Sequence, residues 1–267
     1  MKFIIPLFLC MSVLFACTRT NQQNTTPPNA SATVLDSVFF HSTGPKEIVF
    51  VTTKFHYDDQ GRYTGTFETM TDSTIDHIDV GPDTMMLTLT YNGSDTLPAT
   101  YEHTDALEYY PGGPPGPSLL RYDDQGRIIL DSPANPVYTR RFTYGNGYIS
   151  RTAREFLSSL DTIFTDGNNV SRYEIASAYL YSFAYSNYPN PFYFPKLGAH
   201  AGAIFYADGR DTYSKNLFSK KTGIYSPSTG TYNYSWTLNT DGQVVSGIGT
   251  NEDTGLPMEY YRFVYKK

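Results

Sequence analysis

The residues of this chain best suited to chemistry are four aspartates in two identical hexapeptides. Tyr57-Asp58-Asp59-Gln60-Gly61-Arg62 recurs as Tyr122-Asp123-Asp124-Gln125-Gly126-Arg127. Two acids facing each other across a cleft would serve as general acid and base in glycoside hydrolysis. The neighbouring residues favour a different reading. Asp accepts hydrogen bonds from its own downstream backbone and Gly takes positive φ, so each hexapeptide reads as a type I turn with a G1 bulge closing an aromatic strand end. Turn formation is therefore preferred, with a carboxylate-based polysaccharide hydrolase as the alternative. The same Asp-rich turns, together with Asp166-Gly167-Asn168-Asn169, lack the full acidic ligand series of a calcium loop. His41, His56, His77, His103 and His200 stand singly, without metal-ligand spacing. There is no Gly-x-Ser-x-Gly, no Walker phosphate loop and no His-Glu-x-x-His. No catalytic residue, metal or cofactor is assigned, and the chain reads as a binding or scaffold module rather than an enzyme.

Cysteine chemistry points to a membrane. Lys2 precedes an apolar run from Phe3 to Ala16, and Cys17 follows. One cation, a short apolar stretch and a small residue before the cut form a secretory leader, too short to span a bilayer. Leu14-Phe15-Ala16-Cys17 resembles the bacterial lipobox, which implies that Cys17 becomes the acylated, palmitate-bearing N-terminus. Residues 1–16 are then the signal peptide. Residues 17–34 are the lipidated cysteine and an Asn-, Thr- and Pro-rich tether too polar to fold, and residues 35–267 are the folded domain. Thr18 is not the Asp that retains lipoproteins at the inner membrane, so the outer membrane is expected. The lack of an acidic cluster after Cys17 favours the periplasmic face over the cell surface.

The elements that must carry these residues follow from composition. Loss of Lys2 takes the 20 basic residues to 19 against 26 acids, a net charge of about −7 that argues against a nucleic-acid partner. Cys10 lies in the leader, so the mature chain has no disulfide. With 24 Tyr and 17 Phe against one Trp, the chain favours strands, and a sugar-stacking surface is a secondary reading. Strand signals recur at Glu47–Tyr57, Met85–Tyr91, Leu119–Tyr122, Arg141–Tyr144, Ile163–Thr165, Tyr232–Leu238 and Met258–Tyr265, most of them running into Asp, Asn and Gly turns. Asn92-Gly93 predicts a tight hairpin. Residues 110–117 and 185–200 read as irregular connections, the second with room for a short helical turn. Thr152–Leu160 comes nearest to a helical period and fits a strand and loop nearly as well. The expected fold is all-β: a single large antiparallel meander, strongly curved or barrel-like.

Tyr-Asp-x-x-Gly-Arg resembles the YD hairpin units of bacterial shell-forming proteins. Together with the lipobox, Lys215-Asn216-Leu217, the aromatic strand from Tyr234 into Gly242, Gly255-Leu256-Pro257 and the Tyr-rich final strand, it also resembles a Bacteroidota lipoprotein family of unknown function. That family has a porin-like β fold. The resemblance spans roughly residues 35–267 and implies a barrel-like sheet and no activity. An integral pore is disfavoured, because most apolar runs are shorter than a spanning strand and the chain ends Tyr265-Lys266-Lys267. Asp36-Ser37-Val38, Asp72-Ser73-Thr74, Asp83-Thr84-Met85, Asp95-Thr96-Leu97 and Asp161-Thr162-Ile163 resemble Bacteroidota O-glycosylation sites. The expected partners are the membrane, through the lipid, and a glycan or envelope protein.

Overall fold

Alternating, β-branched and aromatic segments separated by Asp-, Asn- and Gly-rich turns build a sheet that closes on itself. A computed structural model describes residues 34–266 except 45–46, 75–82, 106–115, 135, 137–138, 154–159, 167–168, 176–177, 194–213 and 224–229. The strands are β1 (Leu35–Thr43), β2 (Glu47–Tyr57), β3 (Tyr63–Thr74), β4 (Asp83–Thr90), β5 (Thr100–Asp105), β6 (Ser118–Tyr122), β7 (Ile128–Ser132) and β8 (Arg140–Gly145). They continue as β9 (Tyr148–Ala153), β10 (Leu160–Asp166), β11 (Asn169–Ile175), β12 (Ala178–Pro189), β13 (Asn216–Gly223), β14 (Gly230–Leu238), β15 (Val244–Asn251) and β16 (Pro257–Tyr265). Each pairs antiparallel with its sequence neighbours, and β1 pairs with β16, so the meander is a closed barrel. The leader, Cys17, the tether up to residue 33, His77, His200, most of residues 110–117 and residues 154–159 of the near-helical stretch lie outside the described residues.

Antiparallel order sorts the connections. Those from even to odd strands lie at the end where β1 begins and β16 finishes, here called the base, and those from odd to even strands lie at the rim. The hexapeptides close β2–β3 and β6–β7, two base hairpins separated by the β4–β5 connection.

The period-2 alternation sets the two faces of the wall. Val38, Phe55, Leu87, Leu89, Leu120, Phe142, Ile149, Ile163, Tyr234, Tyr261 and Phe263 point inward and are buried. Threonines and charges, among them Lys54, Glu102, Arg121, Arg141, Arg172, Lys220 and Arg262, occupy outward registers. The base is filled further by the β12–β13 connection. Its Phe192 packs on Phe55 and Phe263, with centroids 6.2 and 5.4 Å away. Asn190 anchors this segment by donating to the Ser214 carbonyl and accepting from the Phe192 N–H.

Two expectations need correction. Asn92-Gly93 does not make a tight hairpin: β4 stops at Thr90 and β5 starts at Thr100, with Asp95 N–H bonded to the Asn92 carbonyl inside the longer connection. Tyr185 to Pro189 is not irregular but the end of β12, because Pro189 stands at the strand terminus, where a missing donor is tolerated.

Candidate functional site

The repeated hexapeptides are built from the turn outward. In the first, Asp58 Oδ1 accepts the backbone N–H groups of Gln60 and Arg62, each at 2.9 Å. Arg62 Nε donates to Asp58 Oδ2 at 2.6 Å, and Gly61 takes φ +74°. The second copy repeats this with Asp123, Gln125, Arg127 and Gly126. Asn239 does the same work in the β14–β15 turn, accepting from Asp241 and Gln243. Desolvation pushes the Asp58 and Asp123 carboxyls up, but hydrogen bonds from the following Arg and Gln residues outweigh it and hold both below the usual carboxylate range. Each carboxylate is turned into its own hairpin. The site residues named from sequence therefore share one barrel end without converging on a cleft.

Tyr57 and Tyr122 do more than end strands. Tyr57 Oη donates to the Leu35 carbonyl at 3.0 Å and Tyr122 Oη to the Pro98 carbonyl at 2.6 Å. The same tie recurs as Tyr91 to Tyr63, Tyr144 to Ile128, Tyr185 to Val170 and Tyr265 to Val244. Trp236 makes it with Nε1, at 2.7 Å from the Phe218 carbonyl. Among the described residues, each even strand except β10 thus carries, at or near its base end, an inward aromatic that donates to the first residues of the preceding strand or, for Tyr122, to Pro98 just before it. The arginines of the hexapeptides cover the next member of this belt: Arg62 lies over Tyr91 and Arg127 over Tyr144, 4.5 and 4.4 Å from the ring centroids. Burial pushes the Tyr57 and Tyr265 hydroxyls up to about 12, and it raises those of Tyr91, Tyr122 and Tyr144 as well. Sequence reasoning saw the tyrosine excess as sheet propensity. The available signal for the belt was an aromatic at the last inward position before each base turn.

Above the belt the lumen holds charge. Lys221 Nζ lies 2.7 Å from Glu259 Oε1, while Tyr234 and Tyr261 donate to Glu259 Oε2 at 2.5 and 3.3 Å. Across the barrel, fully buried Asp131 accepts from Tyr101 Oη at 2.7 Å, with Arg140 3.7 Å away. Both acids are held by cations and phenols, an arrangement that neutralises charge rather than presenting it to a substrate. Among the described residues, no three His, Cys, Asp or Glu side chains gather to hold a metal ion. His41 and His56 occupy outward registers on β1 and β2.

The outer wall carries a shallow groove of about 240 Å³ between two cross-strand rows. One row is Arg262, Phe39 and Thr52, and the other is Tyr260, His41 and Phe50. His41 is stacked between Phe50 at 4.4 Å and Tyr260 at 5.5 Å, and the Arg262 guanidinium lies 4.6 Å over the Phe39 ring.

A solved structure described as a porin-like protein from Bacteroides uniformis ATCC 8492 superposes on this chain with a TM-score of 0.50. It is 13% identical, and the match covers 87% of this chain and 98% of that one. The barrel fold is porin-like. No family model matches this chain, and no curated protein matches it. The porin-like architecture bears out the all-β, barrel-like expectation.

Proposed function

We propose that this chain is an outer-membrane lipoprotein, acylated at Cys17, whose porin-like barrel is a non-enzymatic binding or scaffold module for a glycan, an envelope polymer or a protein. The observation that carries the reading is the packed base of the barrel with its neutralised lumenal acids. Aromatic and aliphatic side chains close the base around Phe192, and the buried acids Glu259 and Asp131 are committed to Lys221, Arg140 and tyrosines. A spanning barrel presents an apolar outer belt on strands of about nine to eleven residues around a polar lumen. Here β6 and β7 have five residues each and the outward registers carry Lys, Arg and Glu. The lipid, not the wall, is then the attachment, and the resemblance to Bacteroidota lipoproteins with YD-like hairpins supports the same reading.

Two measurements test it. Metabolic labelling with palmitate should mark the wild-type chain and not C17A, and an unlabelled membrane-bound wild type would remove the anchor. A thermal-shift screen of residues 18–267 against polysaccharides and peptidoglycan fragments should find one class that raises the melting temperature by several degrees near saturation. Turnover of an envelope substrate without saturable binding would replace the binding module with an enzyme.

A further inference from the structure

Exposed large apolar side chains stand at several places on the barrel, Leu119, Ile129, Tyr148 and Tyr188 among them, and the longest unbroken series of strands that carry them lies on one flank. Ile248, Tyr260, Phe39, Phe50, Phe67 and Met86 mark six consecutive strands, β15, β16, β1, β2, β3 and β4, and each is at least 36% exposed. Their registers place them on the outer face: Ile248 pairs with Tyr260, Phe39 with Arg262, and Phe67 with Met86. Thr52, Lys54 and Thr69 stand between Phe39 and Phe50 on one side and the Phe67–Met86 pair on the other, and a flank this rich in exposed apolar groups marks an interaction surface. The charged side chains set among these residues are cations. Lys54 lies beside Phe67 in the β2–β3 register, and Arg262 covers Phe39. Glu68 and Glu259 of the same strands occupy the inward registers. The chain as a whole carries a net charge of −6, so this flank opposes its overall sign.

Size selects the occupant. Six strands at roughly 4.8 Å spacing make a face on the order of 25 Å wide, too broad for one strand or helix, and the groove on it is shallow. We propose that this flank lies on an anionic bilayer surface, with the rings and aliphatic side chains entering the headgroup region and Lys54 and Arg262 meeting lipid phosphates. The contact is independent of acylation and goes beyond the binding-module reading.

Both edges of every strand are paired within residues 35–265, so the fold is complete without the leader and Cys17. The test is therefore co-sedimentation of residues 18–267 with vesicles of phosphatidylcholine, with and without roughly 30% phosphatidylglycerol. The expected result is binding to the anionic vesicles, weakened by salt. An F39S/F50S chain should partition at least about tenfold less while keeping the wild-type melting temperature. R262Q should lose preference for the anionic vesicles. Absence of wild-type binding overturns the proposal, as does binding that F39S/F50S leaves unchanged. A wild-type dimer by light scattering that F39S/F50S converts to monomer would assign the flank to a second copy instead.

Discussion

Replacing Gly247 by alanine tests how tightly the single tryptophan is wedged into the belt. A Cβ at this position would lie 2.2 and 2.3 Å from Trp236 Cζ3 and Cε3. Ordinary carbon contacts are about 3.5–4.0 Å, so the indole must retreat by more than about 1 Å. Its surroundings oppose that movement. Phe218, Tyr234 and Tyr261 pack on it with centroids 5.7, 5.9 and 5.5 Å away, and Nε1 is tied to the Phe218 carbonyl. Overpacking of this kind costs about 1–3 kcal/mol and a lost hydrogen bond about 1 kcal/mol, against roughly 0.5 kcal/mol gained from a stiffer unfolded chain. The net loss is about 2–3 kcal/mol, a fall in melting temperature of about 5–10 °C for a domain of this size. Circular dichroism reads the melt, and because the chain has one Trp, its emission reports this site alone. In a W236L background the penalty should nearly vanish. A G247A protein melting within about 2 °C of wild type with unchanged emission would refute the packing argument, as would an equal penalty with and without the indole.

Three further expectations follow from the wall and lumen. G65A should abolish a cooperative fold, since its Cβ would fall 1.9 Å from the Leu87 carbonyl oxygen at a φ of +146°, and proteolysis during purification would reveal it. K221M should destabilise by about 3–5 kcal/mol by stranding buried Glu259, and K221M/E259Q should recover much of that in a denaturant titration. Alkali should unfold the barrel. The neutral hydroxyls of Tyr57 and Tyr265 are favoured in the fold, so their contribution is intact below pH 10 and lost as pH rises through about 12. After allowance for partial exposure each is worth about 1 kcal/mol, and a melting temperature flat from pH 9 to roughly pH 12 would refute it.

Where local chemistry and burial agreed, the sequence was legible. Glu47–Tyr57 is β2 residue for residue, because its alternation is β-branched and aromatic and its turn is explicit. In both hexapeptides the Asp accepts from its own downstream backbone and the Gly takes positive φ, and the ladder beyond each shifts register at Tyr57 and Tyr122. β15 was opaque, since Val-Val-Ser-Gly-Ile-Gly-Thr-Asn carries two glycines that disfavour a strand. Only the fold shows that Gly247 and Gly249 leave room for the Trp236 and Tyr234 rings on β14. β13 was hidden similarly by Lys220-Lys221, one lysine outside and one turned inward to an acid 38 residues away. The outer groove joins β1, β2 and β16, from opposite ends of the chain, and no local spacing announces it.

The belt of hydroxyl and indole ties has a consequence for how such a barrel can vary. Each tie measures a fixed side-chain length from the end of one strand to the beginning of its partner, so together they gauge the circumference and stagger of the base. A one-residue slip in any gauged hairpin would swing its aromatic to the outer face and break the tie. None of these ties is made by a described residue of the rim connections. Insertions there would change what the barrel displays and leave its bore and register untouched, so the architecture behaves as a calibrated socket with an interchangeable crown.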